Sequence, residues 1–182
     1  MIMNKNMLYS DKFKNLVLYI LSKDSYKEEG IKKLNKILYF IDFYFYRENN
    51  KFISDVKYAK AGRGPIINNY KKIFGQMVED GLLERDESFG PVNHKAKAEF
   101  DISKFSSKEI DHINNVLDKY GKLSSMELES ISHEQQPWIL TKADGDIIDP
   151  DLALLIDDGL ADSTEILDEE LKKELIDLAN KA

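Results

Sequence analysis

Residues 31–48 constrain the fold more than any other stretch of the sequence. Their apolar residues recur at helical spacing and form one stripe: Ile31, Leu34, Ile37, Leu38, Ile41 and Phe45. Aromatic residues fill most of the remaining circumference: Tyr39, Phe40, Phe43, Tyr44 and Tyr46. A helix that is apolar on nearly every side belongs in the middle of a domain. The most apolar run, 37–46, is about half as long as a membrane-spanning helix, so we expect a core helix and no membrane partner.

Capping signals predict further helices on both sides of this segment. Ser124-x-x-Glu127 has the form of a capping box. Gly64-Pro65 suits a helix start, because proline at the first helical position lacks only a donor that would have no partner there, and Gly81 suits that helix's end. The predicted helices are 9–23 with Ser10 as cap, 31–48, 66–80, one from Ser106 or Ser107 to Tyr120, one from Ser124 to before Pro137, 151–158, and 168–179 with Leu171, Leu175, Ile176 and Leu178 inward.

Short strands are predicted at 55–59, 82–86 and 95–101, the last two joined by a turn at 88–91. Residues 95–100 alternate between polar and apolar side chains, which is typical of a half-buried strand. We therefore predict a mainly α fold, a compact helical domain with a small β-hairpin after the third helix. The predicted domain covers residues 1–158, and residues 159–182 form an acidic C-terminal helical extension.

Charge is distributed unevenly along the chain. Residues 1–100 carry 18 Lys and Arg against 13 Asp and Glu, whereas residues 101–182 carry 8 against 20. An acidic half is a poor surface for nucleic acid and suits a basic protein partner, although solvated acidic helices would have the same composition. The chain has no cysteine, which excludes disulfides and cysteine-based zinc sites. Together with the lack of a signal-peptide pattern, this predicts a cytoplasmic protein.

Known catalytic and metal-binding spacings do not occur in the sequence. The three histidines, His94, His112 and His133, are not spaced to share a metal ion. Residues 62–65 lack the Gly-Lys-Ser/Thr ending of a phosphate loop, so Arg63 marks either a plain turn or an anion site at a helix start. No serine lies in a G-x-S-x-G elbow. We therefore predict a protein that binds another macromolecule, with no enzymatic activity, no cofactor and no metal.

Two clusters of unusual residues are candidates for binding. Asp42 stands among aromatic residues, where a charge is unfavourable unless it is paired. It either bonds to a basic side chain or a tyrosine hydroxyl, or it anchors a partner in a groove. Trp138 either fills the core while His133 caps a helix end, or the two form a binding surface, since tryptophan is frequent at interface hot spots.

A winged-helix DNA-binding protein is an alternative interpretation, because three helices and a hairpin describe that fold as well. The third predicted helix presents side chains that can meet bases and phosphates: Asn68, Asn69, Lys71, Lys72 and Gln76. However, residues 31–48 contain more apolar and aromatic side chains than the core of a minimal winged helix needs. The acidic C-terminal half also opposes DNA unless it lies on the far side. DNA is therefore the less favoured partner.

Three motifs occur in order along the chain. The first is Lys-Leu-Asn-Lys-Ile-Leu-Tyr-Phe-Ile-Asp-Phe at 33–43. The second is Tyr-Ala at 58–59 followed by Gly-Pro-Ile at 64–66, and the third is Ser-His-Glu at 132–134 followed by Pro-Trp at 137–138. In order and spacing they resemble the Panacea-domain antitoxins, a SocA-like and phage-associated family. The resemblance runs from about residue 9 to about residue 157.

This resemblance implies an antitoxin that binds and neutralises a toxin encoded beside it. One relative implies a second mode, in which the antitoxin is an adaptor that delivers its toxin to a protease. The family has no established catalytic residues. Two residues depart from its pattern: Arg63 stands where an apolar or aromatic residue is expected, and Ile66 stands where valine is expected.

The motifs and the unusual clusters together give six candidate partner-binding residues: Tyr39, Asp42, Tyr46, Arg63, His133 and Trp138. The predicted partner is a cognate toxin protein, with a protease as a further partner in the adaptor mode. A DNA-binding regulator with a winged helix is the alternative function.

Overall fold

The computed structural model describes residues 7–87, 92–157 and 169–181. In chain order the elements are α1 Asp11–Leu21, α2 Ile31–Asn49, β1 Tyr58–Ala59, β2 Ile66–Ile67, α3 Tyr70–Glu79, β3 Leu83–Asp86, β4 Asn93–Ala96, a 3₁₀ helix Ile102–Lys104, α4 Ser107–Tyr120, α5 Ser125–His133, α6 Gln136–Leu140, a second 3₁₀ helix Pro150–Leu155 (the Pro150 helix) and α7 Glu169–Lys181. The predicted mainly α fold, with a small hairpin after the third helix, is confirmed. In the described part of the chain, no helix is both long enough and apolar enough to cross a membrane.

The central position of α2 is confirmed. Every residue from 33 to 45 is buried, including the polar ones. β2, α4, α5 and the Pro150 helix all contact α2, and α1 contributes Phe13, Leu16 and Ile20 to the same hydrophobic cluster. Since each fully buried large apolar side chain stabilises a fold by about 1.5–3 kcal/mol, this helix is the main source of core burial.

Helix ends follow the capping signals of the sequence. The Ser10 hydroxyl accepts a hydrogen bond from the Phe13 amide at 3.0 Å. A reciprocal capping box with Glu109 fixes Ser106 as the cap of α4, and Ser124 and Glu127 form the same box at α5. Each box satisfies two amides that would otherwise lack partners.

β1 lies between two hydrogen-bonded neighbours. On one side it pairs antiparallel with β2. On the other side, the Ile148 amide donates to the Tyr58 carbonyl at 2.9 Å, and the Lys60 amide donates to the Asp146 carbonyl at 2.9 Å. The segment after α6 is thereby held against the segment after α2.

The predicted start of the third helix is wrong. Residues 66–67 form β2, and α3 begins at Tyr70 after Asn69, whose φ is 61°. The Ile67 amide donates to the Asn35 side-chain oxygen at 2.8 Å, and Ile67 lies opposite Tyr58 in the ladder. The pairing requires extended backbone at residues 66–67, so strand pairing overrides the local Gly-Pro signal, and the hydrogen bond to Asn35 anchors Ile67 to α2.

The hairpin is present, but its second strand lies earlier than predicted. In the antiparallel pair, Leu83 is opposite Ala96 and Asp86 is opposite Asn93. The strand ends at Ala96 because the chain then turns to α1, where the Asp101 amide donates to the Asn15 side-chain oxygen at 2.7 Å. The predicted turn at 88–91 lies outside the described residues.

α7 is confirmed as a helix, but three of the four apolar residues predicted to face inward are exposed, and the fourth, Leu175, is half-buried. Leu171, Ile176 and Leu178 are 41%, 36% and 56% exposed. Among the described elements, its main contacts are with α6 and the Pro150 helix, both of which are short, so they offer little surface to cover an apolar stripe. The predicted helix 151–158 is the Pro150 helix, and residue 158 lies outside the described residues.

Gly121 is expected to be intolerant of any side chain. A Cβ there would collide with the Ser25 carbonyl oxygen, which belongs to backbone that cannot move freely. Gly121→Ala should therefore lower the unfolding free energy by about 1–3 kcal/mol, measured by urea denaturation. The matched control is Gly75→Ala in α3, where a Cβ would meet nothing within 4 Å. This substitution should raise the unfolding free energy by about 0.5–1 kcal/mol. Equal effects of the two substitutions would contradict this packing.

Candidate functional site

Asp42 is completely buried and holds the loop that follows α2. Its carboxylate accepts hydrogen bonds from the amides of Ile53 (2.8 Å) and Ser54 (3.0 Å), from the Ser54 hydroxyl, and from the Tyr58 hydroxyl (2.6 Å). The expected tyrosine partner is therefore confirmed. Burial raises the pKa of Asp42 to about 6, although these hydrogen bonds favour the carboxylate and oppose the shift.

Lys33 and Asn35 are also buried polar residues of α2, and both bind backbone groups. The Lys33 ammonium donates to the carbonyl oxygens of Lys27 (2.5 Å) and Gly121 (2.9 Å). It thus joins the segment before α2 to the end of α4. Asn35 donates to the Ile31 carbonyl at 2.7 Å and accepts from the Ile67 amide at 2.8 Å.

The three sequence motifs meet around Lys36. Its side chain is buried, and its ammonium lies 3.5 Å from the Ser125 hydroxyl. Gly64 lies so close that a Cβ there would be 2.7 Å from the Ser132 hydroxyl oxygen and 3.1 Å from Lys36 Cε. Its φ of 99° also favours glycine. One residue from each motif therefore contributes to a single packed junction.

Trp138 ties the third motif to the second. Its ring stacks on His133, with ring centroids 3.9 Å apart. Its indole Nε1 donates to the Ala61 carbonyl at 3.1 Å, and the Lys60 ammonium lies 4.3 Å from the ring centroid. The side chain is only half-buried, so it closes the edge of the core and also forms part of the surface.

The structure places the candidate residues of α2 at different depths. Tyr39 and Asp42 are completely buried, so they support the interior, and any part in partner binding would be indirect. Tyr46 is accessible at the C-terminal end of α2, where its hydroxyl donates to Asp151 at 2.6 Å. Desolvation and this carboxylate raise the pKa of Tyr46 to about 12.

The remaining candidates lie near the junction of the motifs. Arg63 is exposed, and His133 and Trp138 are half-buried. Arg63 precedes Gly64, where a Cβ would lie 2.7 Å from Ser132 Oγ and 3.9 Å from His133 Nε2. We call the accessible surface of Arg63, His133, Trp138 and the neighbouring Ile139 the motif patch.

The structure changes two chemical expectations. Because α3 begins at Tyr70, Arg63 does not lie beside a helix start, and the anion site proposed there is wrong. Gln76 is buried, and its side-chain oxygen accepts the Leu8 amide at 3.0 Å. It is therefore not available to contact DNA bases, unlike the exposed Lys71 and Lys72. Among the described residues, no group of three or more His, Asp or Glu is placed to hold a metal ion.

A family model for SocA-like antitoxins, the Panacea domain, matches residues 34–139. This match covers more than half of the 182-residue chain. The chain belongs to this family. Comparison with curated proteins and with solved structures gave no match. The Panacea match begins in α2 and ends in α6, so it contains the junction of Lys36, Gly64 and Ser132.

Sequence reasoning singled out Asp42 but missed Lys33, Asn35 and Lys36 as buried residues. A signal for them was present. A helix whose apolar residues surround its axis has no polar face, so its polar residues are also buried and need partners. The sequence could not identify those partners, because most of them are backbone groups that lie far from α2 along the chain.

Asp42 is expected to make stability depend on pH between about 4 and 6. The carboxyl holds its proton more tightly in the folded state, with a pKa of about 6, than in the unfolded chain, where the value is 3.8. The unfolding free energy should therefore fall as pH rises through this window, by up to about 3 kcal/mol. Asp42→Asn removes this titration and keeps an oxygen for the two amides. A stability difference between wild type and Asp42→Asn that stays constant from pH 4 to 7 in urea denaturation would contradict the assignment.

Trp138→Ala should destabilise the fold by about 2–3 kcal/mol, because it removes the stacked ring and leaves a gap at the core edge. Trp138→Phe should cost about 1 kcal/mol, the contribution of the lost indole hydrogen bond. Urea denaturation followed by far-UV circular dichroism measures both. The control is Ile139→Ala, whose side chain is 47% exposed and should change stability by less than about 0.5 kcal/mol. A Trp138→Ala effect as small as this control would show that the ring has no structural role.

Proposed function

We propose that this protein is the antitoxin of a toxin–antitoxin system and neutralises a cognate toxin by direct protein–protein binding. The observation that carries the proposal is the Panacea-domain match over residues 34–139. The junction of Lys36, Gly64 and Ser132 supports it, because the matched motifs converge in space and form one structural unit. The bonding of Asp42 to Ser54 and Tyr58 gives that residue a structural task, which favours binding over catalysis.

The motif patch is the surface that we propose for toxin contact. It combines an exposed cation at Arg63, an accessible aromatic edge at Trp138 and an apolar side chain at Ile139. Tryptophan and arginine are enriched among residues that dominate binding energy. His133 and Lys60 hold the indole in place, so little side-chain entropy is lost when a partner covers it.

α7 lies next to this patch, because it packs on α6, which carries Trp138 and Ile139. It carries four carboxylates against three lysines, so its net charge is −1. Glu174 and Asp177 are exposed on α7, and so are Leu171 and Leu178. Exposed apolar side chains with surrounding carboxylates suit a partner whose apolar contact surface is bordered by basic residues. We therefore propose that the toxin presents basic side chains to Glu174 and Asp177.

The function is tested by co-expression with the gene encoded beside it. Expression of that gene alone should stop growth, and co-expression with this chain should restore it and give a complex on gel filtration. Absence of both rescue and complex would overturn the proposal. A gel-shift titration at two salt concentrations is run in parallel. A complex with DNA that weakens steeply with salt, in the absence of toxin rescue, would favour the DNA-binding alternative instead.

Charge reversal on α7 is expected to weaken toxin binding without affecting the fold. The double variant Glu174→Lys with Asp177→Lys should reduce affinity about tenfold in a pull-down or calorimetric titration, with an unchanged melting temperature. Asp111→Lys with Asp118→Lys, two exposed carboxylates on α4, is the matched control for total charge and should leave affinity unchanged. Equal affinities for the two double variants would place the toxin on another surface.

A further inference from the structure

A cleft lies between residues 7–10, residues 54–57 and the start of α3. Its volume is about 590 Å³, which is within the range of small-ligand sites. None of the residues that line it belongs to the motif patch, to α7 or to the three sequence motifs. The proposed antitoxin function therefore leaves this cleft without a role.

Two lysines of the cleft carry charges that no carboxylate of the described residues neutralises. Lys57 comes from the loop after α2, Lys72 comes from the first turn of α3, and both are exposed. Neither ammonium forms an ion pair or a hydrogen bond within the part of the chain that the structure describes. Lysines elsewhere do find partners, as Lys12 does with Glu109 at 2.6 Å. Two unmatched positive charges therefore border one hollow.

Side-chain amides add neutral donors to these two cations. Asn68 and Asn69 are exposed and line the same cleft, and the Asn69 side chain makes no cap hydrogen bond at the start of α3. The one carboxylate among the lining residues, Asp55, is also exposed and pairs with neither lysine. Because all four donor side chains are exposed, a ligand can reach them from solvent. The cleft offers more donors than acceptors and carries a net positive charge, so it suits an anion.

Hydrogen bonds hold the backbone of two walls in place. The Asn68 amide donates to the Lys57 carbonyl at 2.8 Å, which ties the segment before α3 to the loop after α2. The same loop is held from below, because the amide and the hydroxyl of Ser54 both donate to the buried Asp42 carboxylate. Binding therefore requires little ordering of the backbone that carries Lys57 and Asn68, and this lowers its entropic cost.

Apolar side chains form the third wall. Met7 and Leu8 are 60% and 49% exposed, and both line the cleft. The hollow is much larger than a single inorganic anion needs. An organic group attached to the anion can therefore lie along these two side chains and bury part of their surface.

We propose that this cleft binds the phosphate group of a phosphorylated ligand, with Lys57 and Lys72 as its cationic partners and Asn68 and Asn69 as further donors. A phosphate monoester carries a charge of about −1.5 to −2 at pH 7 and three acceptor oxygens, which matches two ammonium groups and neighbouring amides. Lysine is a common phosphate binder. A carboxylate carries a single charge and would leave one of the two lysines unmatched.

The phosphate belongs either to a free organic phosphate or to the backbone of a nucleic acid, and the same four residues recognise it in both cases. In the first case, the organic part lies along Met7 and Leu8 within the cleft. In the second case, the strand continues past the cleft over the exposed face of α3. Lys71 and Gly75 lie on that face, beside a neighbouring hollow that Lys72 also lines.

The site is tested with inorganic phosphate as the probe. Amide ¹⁵N–¹H spectra of the full chain are recorded while phosphate replaces chloride at constant ionic strength. Saturable shifts are expected at the amides of Lys57, Asn68, Asn69 and Lys72. No saturable shift, or the same shifts when the chloride concentration alone is raised, overturns the proposal.

Substitutions of opposite sign sharpen this test. Lys57→Gln and Lys72→Gln should each weaken phosphate binding about tenfold, because each removes one charge-assisted contact. Asp55→Asn should strengthen it, because it removes the carboxylate that repels the anion and keeps a residue type that tolerates the φ of 60° at this position. All three side chains are exposed, so the melting temperature should stay as in wild type.

Lys71→Gln is the matched control. Lys71 is the exposed neighbour of Lys72 in α3 but does not line the cleft, and its substitution changes the net charge by the same amount. It should bind inorganic phosphate as wild type does. Equal losses in Lys71→Gln and Lys72→Gln would show a general charge effect and overturn the assignment, as would unchanged binding in both Lys57→Gln and Lys72→Gln.

Two further probes identify the source of the phosphate. If adenosine monophosphate binds more tightly than inorganic phosphate, and Lys71→Gln leaves its affinity unchanged, the ligand is a free organic phosphate. If a short DNA duplex binds with an affinity that falls steeply with salt, and Lys71→Gln weakens it, the phosphate belongs to a nucleic acid. Growth rescue from the toxin is a separate measurement, so failure of the cleft is distinguishable from failure of the proposed function.

Discussion

Hydrogen bonds between polar side chains of α2 and backbone groups of other segments hold this fold together. A helix surrounded by protein on all sides forces its neighbours to present buried backbone to it, and each unsatisfied group there costs about 1–3 kcal/mol. Asp42, Asn35 and Lys33 supply the missing partners from within the helix. The hydrophobic stripe provides the burial, and these polar residues decide which segments lie where.

The spacing of these polar residues along α2 determines which segment of the chain binds to which side of the helix. Asn35 and Asp42 are seven residues apart, which is two helical turns, so they lie on one side of α2. Asn35 binds Ile67 and Asp42 binds Tyr58, the two residues that lie opposite each other in the β1–β2 ladder. Lys33 and Lys36 lie one turn apart on another side. They reach Gly121 and Ser125, at the connection between α4 and α5.

Much of this arrangement could be predicted from local sequence, because local rules decide it. The burial of α2 follows from its apolar circumference, and the starts of α4 and α5 follow from their serine and glutamate caps. Features set by distant contacts could not be predicted. The residues after Gly64-Pro65 form a strand because they pair with β1, and no pattern within those residues indicates this pairing. The orientation of α7 failed for the same reason, since periodicity defines a stripe but not the surface that will cover it.

In the candidate site, too, unusual residues could be recognised from the sequence, whereas their distant partners could not. Asp42 and Trp138 were recognisable because a lone charge among aromatics and a lone tryptophan are unusual in themselves. Their partners, Ser54 and the Ala61 carbonyl, belong to segments that carry no distinctive residues. The hydrogen bond between the His94 amide and Glu28 was not foreseen, because these residues lie 66 positions apart in sequence and meet only where the segment before α2 packs against β4.

The burial of the α2 signature separates two kinds of information in the chain. Residues such as Asn35, Lys36 and Asp42 never reach solvent, so they can identify a shared architecture but cannot discriminate between partners. Any discrimination between partners therefore has to depend on accessible positions such as Arg63, which is exposed. In a scaffold organised in this way, surface residues can be exchanged while the hydrogen bonds of the interior stay the same, so one architecture is compatible with many different surfaces.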